Sequence, residues 1–306
     1  MTSTSLPLRI ACAQIAPRVG EVDYNRQLCN TAIVQAAQQG AELVVLPELA
    51  QCGYAFHDRD EALASAEGLY DQTVLGWFEL ARQHDIIVVG GLCERLSAVE
   101  VANSAVLVDP RGWLTCYRKA HLWDRENLIF TPGDQPPPIV RTAKGRIGLM
   151  ICYDLELPEW VRLAALGGAQ LLCAPANWPD LGRPQGERPA EIVRVQADAA
   201  VNRMFIAACD RHGHERGIDW VGGSTIVDAD GFPLAGASSL PEAQLLVTDI
   251  DLAEADDKWI SDHNHVLQDR RPALYGDLCS TSIRSAHPPS EHCSTTGYNP
   301  QPRHRQ

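Results

Sequence analysis

The chain has 306 residues, 45% hydrophobic and 21% charged, which describes a soluble globular protein with room for a sizeable core. A formal net charge of -13 argues against nucleic acid and anionic membranes as partners, since phosphate surfaces call for a basic face. No apolar run approaches the roughly 20 residues of a bilayer span, the start "MTSTSLPLRIACAQ" has no secretory pattern, and the ten cysteines include no C-x-x-C pair, so a reduced, cytoplasmic protein is expected.

In chain order, the strand-like run "LRIACAQIA" leads into a helix through "NRQLCNTAIVQAAQQG" and a second strand, "AELVVLPEL", that ends on Glu48. A helix near "TVLGWFELARQHD" and the strand "IIVVGGLCE" follow. The stretch "NSAVLVDPRGWLTCYRK" reads as a hairpin across an Asp-x-x-Gly turn and carries Lys119 on its second arm. The apolar run "RIGLMI" finishes on Cys152, and Pro158 is placed to open the helix "PEWVRLAALGG". A second hairpin, "GSTIVDADGFPLAG", repeats the turn chemistry of the first.

The two halves resemble each other. "AAQQGAELVVLPE" ends at Glu48 and "AALGGAQLLCAPA" ends at Ala176, and both read helix, glycine, apolar strand, proline. Alternating strands and helices in two such units predict an α/β domain whose two sheets stack as a sandwich. This domain is expected to span residues 1–275. From 276 to 306 the composition turns to Ser, Pro and His without apolar periodicity, so a tail or arm is expected there. Its Cys279, His287, His292 and Cys293 match no tetrahedral ligand spacing, and no metal site is expected.

Three strand ends thus present a carboxylate, an amine and a thiol, and ligand sites of layered α/β proteins form beyond such ends. A thiol needs a base or a nearby positive charge to become a nucleophile. Glu48 could take the proton and return it to a leaving amine if burial raises its pKa. Lys119 could favour the thiolate and stabilise an oxyanion, with the backbone N–H of Tyr153 as a second donor. Spacing alone does not bring the three together, because a Glu after Pro or a Lys after Arg is most often a surface residue.

"LVVLPEL", "YRKAHLW" and "ICYDLELPEWVR", in this order, resemble the Glu, Lys and Cys motifs of the nitrilase superfamily, the carbon–nitrogen hydrolases. "ACAQIAP", "FTPGD", "VNRMFIAACDRHG" and "DRRPALY" also fit, so the likeness covers about residues 8 to 275. The resemblance implies a four-layer α-β-β-α sandwich, Cys152 as nucleophile, and a second glutamate before the Pro-Gly-Asp, which falls on Glu126 with Asp124 as its nearest rival. It also implies a homo-oligomer. "CYDLELPE" looks most like the amidase branches, including the R-stereoselective amidases. The expected activity is hydrolysis of a small amide through a cysteine thioester, with no metal and no cofactor. Hydrolysis of carbamoyl amines or nitriles, acyl transfer to an amine, and a non-catalytic scaffold are the alternatives. Tyr54, Trp123, Tyr153, Asn177 and Trp178 are the expected pocket lining, and Arg188 and Arg194 are candidates for a substrate carboxylate.

Overall fold

The computed structural model describes residues 7–112 and 114–280. Its first half opens with strand β1 (Leu8–Gln14), helix α1 (Val22–Gln38) and strand β2 (Leu43–Val45). Helices α2 (Arg59–Ser65) and α3 (Gln72–His84) precede the strands β3 (Ile87–Arg95), β4 (Val101–Val108) and β5 (Leu114–Arg118). The one-turn helix α4 (Glu126–Ile129) leads to the second half. That half contains β6 (Ile139–Arg141), β7 (Arg146–Leu149), α5 (Pro158–Leu166), β8 (Leu171–Pro175), α6 (Ala190–Asn202) and β9 (Phe205–Cys209). A small ribbon, β10 (His214–Glu215) and β11 (Ile218–Asp219), is followed by β12 (Thr225–Val227), β13 (Pro233–Gly236) and β14 (Gln244–Ile250).

Among the described residues these strands build two six-stranded sheets, ordered β14-β1-β2-β3-β4-β5 and β13-β12-β9-β8-β7-β6. In each, three parallel strands run into two antiparallel ones: β1, β2 and β3 into β4 and β5, and β7, β8 and β9 into β12 and β13. The half-repeat read in the sequence is therefore a repeat of the sheet. Each sheet also gains an edge strand with no counterpart in the pattern, β14 beside β1 and β6 beside β7.

Side chains alternate across a strand, and the burial follows that period. Ile10, Cys12, Leu43 and Val45 face the other sheet in one cluster with Ile147, Leu149 and Leu171. Ala11, Ala13, Val44 and Leu46 face outward into a second cluster with Ile33 of α1 and Trp77 of α3. Helix α1 buries Cys29, Ala32, Ile33 and Ala36, the spacing of one helical face. With α5 and α6 outside the second sheet, the layers are α-β-β-α, as the resemblance implied.

Of the expected tail, Gly276–Cys279 forms a single 3-10 turn, while residues 281–306, including His287, His292 and Cys293, lie outside the described residues. Among the described residues no helix is long and apolar enough to cross a membrane.

Candidate active site

The corner after β2 carries Glu48 to the inner end of the stack. It turns there because Leu49 takes a positive φ of 49°, and because β3 offers a glycine beneath it. A Cβ on Gly91 would lie 2.1 Å from the Leu49 nitrogen and 2.6 Å from the Glu48 carbonyl carbon, so only glycine admits this approach. Lys119 follows β5 directly, and its backbone N–H donates to the Asn103 carbonyl of β4 at 2.8 Å. Cys152 sits just past β7, where Pro158 and α5 follow a 3-10 turn spanning Cys152–Glu156. The nucleophile candidate itself has φ 46°, a conformation that costs a non-glycine residue energy and that the surroundings must hold.

The structure brings Glu48, Lys119 and Glu126 into contact. Lys119 Nζ donates to Glu48 Oε1 at 2.7 Å and to Glu126 Oε1 at 2.8 Å, with both the amine and Glu48 fully buried. Asn103 Nδ2 also donates to Glu48 Oε1 at 2.7 Å. Glu48 Oε2 is buried and takes no hydrogen bond among the described residues. Glu126 accepts from the Tyr54 hydroxyl at 2.6 Å and from the Trp123 backbone N–H at 3.1 Å. Among the described residues the amine's ion-pair partners are Glu48 and Glu126, while the rival Asp124 lies on the wall of a neighbouring cavity.

Electrostatics follow from this geometry. Burial raises the Glu48 pKa to about 7, with Glu126 adding to the rise and Lys119 opposing it. Burial works against the Lys119 charge, but Glu126 and Glu48 outweigh it and hold the ammonium well above the usual lysine value. The Cys152 thiol is pushed up by burial and by Glu48 and pulled back by Lys119, so thiol, carboxylate and ammonium feel one another. Cys152 Sγ lies 3.7 Å from the Asn177 carbonyl, and Asn177 Nδ2 donates to the Glu48 carbonyl at 2.8 Å.

A cavity of about 360 Å³ adjoins Glu126, walled by Tyr54, Phe56, Trp123, Phe130, Arg216 and Ile218. Two of the five expected lining residues, Tyr54 and Trp123, belong to it. The other three do not. Asn177 is buried between Glu48 and Cys152, Trp178 is 4% exposed within the inter-sheet core, and Tyr153 lies half-buried on the Cys152 turn. The two arginines are engaged elsewhere: Arg194 lies 3.3 Å from Glu156 and 3.6 Å from Glu191, and exposed Arg188 reaches Gln196.

Several supporting residues were not singled out in the sequence. Asn103 is one. Asp154, buried on the Cys152 turn, is another, bound by Tyr117 and His121. A third group crosses between the halves. Glu215 accepts from the backbone N–H groups of Val19, Tyr54 and Ala55 and from Arg211 at 2.8 to 3.0 Å. Arg211 in turn stacks on Trp220, whose ring meets Tyr54 edge-on at 5.3 Å. This group holds the tyrosine whose hydroxyl reaches Glu126. The local signals were present in "YRKAH", "CYD" and "DRHGHE", but a hydrogen-bond partner distant in the chain leaves no spacing to read.

Comparison with known proteins follows the same direction. A carbon–nitrogen hydrolase family model matches residues 9–258. A nitrilase of Pyrococcus abyssi is 35% identical over 269 residues, covering 88% of this chain and 99% of the relative. An (R)-stereoselective amidase of a Pseudomonas species is 32% identical, covering 88% of this chain and 94% of the relative. Among solved structures, an amidase from Nesterenkonia sp. matches with a TM-score of 0.72 at 30% identity, covering 89% of this chain and 96% of its own. A glutamate-to-glutamine mutant of that amidase carries the acetamide moiety of fluoroacetamide covalently added at its active-site cysteine.

Proposed function

The chain belongs to the carbon–nitrogen hydrolase family, and from that premise we propose that it hydrolyses a small amide to ammonia and a carboxylic acid through a thioester on Cys152. The observation that carries this reading is the buried Lys119 ammonium bridging Glu48 and Glu126 while Glu48 Oε2 has no hydrogen-bond partner among the described residues.

In this mechanism Glu48 Oε2 takes the thiol proton, which a carboxyl group with a pKa of about 7 does readily near neutral pH. The Cys152 thiolate adds to the amide carbon, and the oxyanion is met by Lys119 and the Tyr153 backbone N–H. Glu48 returns the proton to the nitrogen, the C–N bond breaks, and ammonia leaves a thioester behind. Water activated by Glu48 and steadied by Glu126 then cleaves the thioester, releasing the acid and restoring the thiol. Side chains alone supply every proton transfer. The aromatic wall beside Glu126 favours a substrate with an apolar flank.

The kinship with a nitrilase keeps a second reading in view. A nitrile gives a thioimidate first and needs an added water before ammonia can leave, a longer path through the same pocket. The test is kcat/KM for an amide and a nitrile of one carbon skeleton, read by ammonia release. We expect the amide to win by about two orders of magnitude, roughly 3 kcal/mol of transition-state stabilisation. Equal or reversed values would make nitrile hydrolysis the activity.

A further inference from the structure

We infer that Asp154 is a positioning residue whose carboxylate ties the Cys152 turn to the Lys119 strand and so sets the spacing of thiol and ammonium. The inference rests on the reading of Cys152 and Lys119 just given. Asp154 is fully buried, and four donors converge on it. Its Oδ2 accepts from the Ile151 backbone N–H at 3.2 Å and from the Tyr117 hydroxyl at 2.8 Å. Its Oδ1 accepts from the His121 backbone N–H at 3.1 Å and lies 2.8 Å from His121 Nδ1.

The identity of these donors is what matters. Ile151 immediately precedes Cys152, while Tyr117 and His121 stand two residues on either side of Lys119. One carboxylate therefore grips the second sheet at the nucleophile and the first sheet at the lysine. The grip is itself braced. Tyr117 accepts from Trp160 Nε1 at 3.0 Å, and the Trp160 ring meets His121 edge-on at 4.9 Å, so the start of α5 is drawn into the same cluster. Cys152 holds a positive φ that relaxation would remove, and the Ile151–Asp154 bond closes the turn that keeps it there. Only a carboxylate offers two oxygens to four donors. An asparagine of the same shape would turn an NH₂ group toward two of them.

The clamp acts through Cys152 and touches no substrate, so the test needs readouts that a purely structural role would not move. In Asp154→Asn, kcat is expected to fall by on the order of 30-fold or more with KM within about threefold, as small misplacements of reacting groups cost rate rather than binding. Alkylation of Cys152 by iodoacetamide is expected to slow in parallel and to shift its pH profile upward, because the thiolate loses part of its hold on Lys119. Tyr117→Phe removes one donor and keeps the carboxylate, and a smaller loss of the same kind is expected; it decides the matter alone if Asp154→Asn does not fold. Unchanged kcat, or a lower kcat with an unchanged alkylation profile, would overturn the inference. A Cys152→Ala control separates the two levels. An inactive control with normal Asp154→Asn sinks the clamp only, whereas turnover by Cys152→Ala sinks the proposed mechanism and the clamp with it.

Discussion

Burial is what gives Glu48 its unusual basicity, and the second carboxylate, Glu126, adds to it against the pull of the one ammonium they share. Burying Lys119, Glu48 and Glu126 together is costly unless each charge is hydrogen-bonded, and the desolvation that remains holds the Glu48 pKa at about 7. Glu48 can accept the thiol proton only when it is ionised, so kcat/KM should rise with pH through about 7 as the folded enzyme gives up that proton. A rate that instead rises toward acid would contradict the role. Glu48→Gln keeps the shape and the Lys119 contact but cannot carry a proton, and turnover should fall by about 10²–10⁴-fold. Glu48, Lys119 and Cys152 are candidates on the sequence because each sits in a motif of fixed order, and Glu126 because it precedes the Pro-Gly-Asp in that resemblance. Asn103 could not, because its place beside Lys119 is set by the register of β4 on β5, which no run of letters prints.

At the scale of elements, apolar runs and their Gly and Pro punctuation were enough to read most of the sandwich. The strands with both faces buried, β2 and β8, read as continuous apolar stretches, and the two Asp-x-x-Gly turns gave both hairpins. The edge strand β14 is harder to read, because it is half-buried along most of its length and its short run Leu245, Leu246 and Val247 gives way to Thr248 and Asp249. Helix α6 carries a less visible feature. Asp198 is 6% exposed, its Oδ2 has no hydrogen-bond partner among the described residues, and burial raises its pKa to about 7 against the pull of Arg194 and Arg162. A folded-state pKa above the usual carboxylate value means that folding takes up a proton between the two. The associated stability is complete below about pH 4 and is lost as pH rises through about 7. Asp198→Asn removes that loss. Its thermal midpoint, relative to the parent protein, should improve by about 2 °C or more between pH 5 and pH 9. A flat or opposite trend in paired melting curves would show that Asp198 stays ionised in the folded protein.

At the scale of the whole molecule, a near-symmetric frame holds an asymmetric site. The equivalent corners of the two halves meet where the Glu48 N–H reaches the Ala176 carbonyl at 3.4 Å, yet only one of them carries an acid. Glu48, Lys119 and Glu126 come from the first half and Cys152 from the second, so the proposed chemistry exists only when the two sheets are stacked. The half-repeat made that stacking legible, whereas the ribbon, loop and Asp154 contacts that fix its details depend on folded geometry. The claim that this stack makes Cys152 the covalent nucleophile is tested most directly by rapid acid quench during turnover of a small amide, followed by peptide-mapping mass spectrometry. The account predicts an acyl group on the peptide bearing Cys152 and on none of the other nine of the ten cysteines. An acyl group mapped to Cys52, Cys173 or any residue other than Cys152 would contradict it.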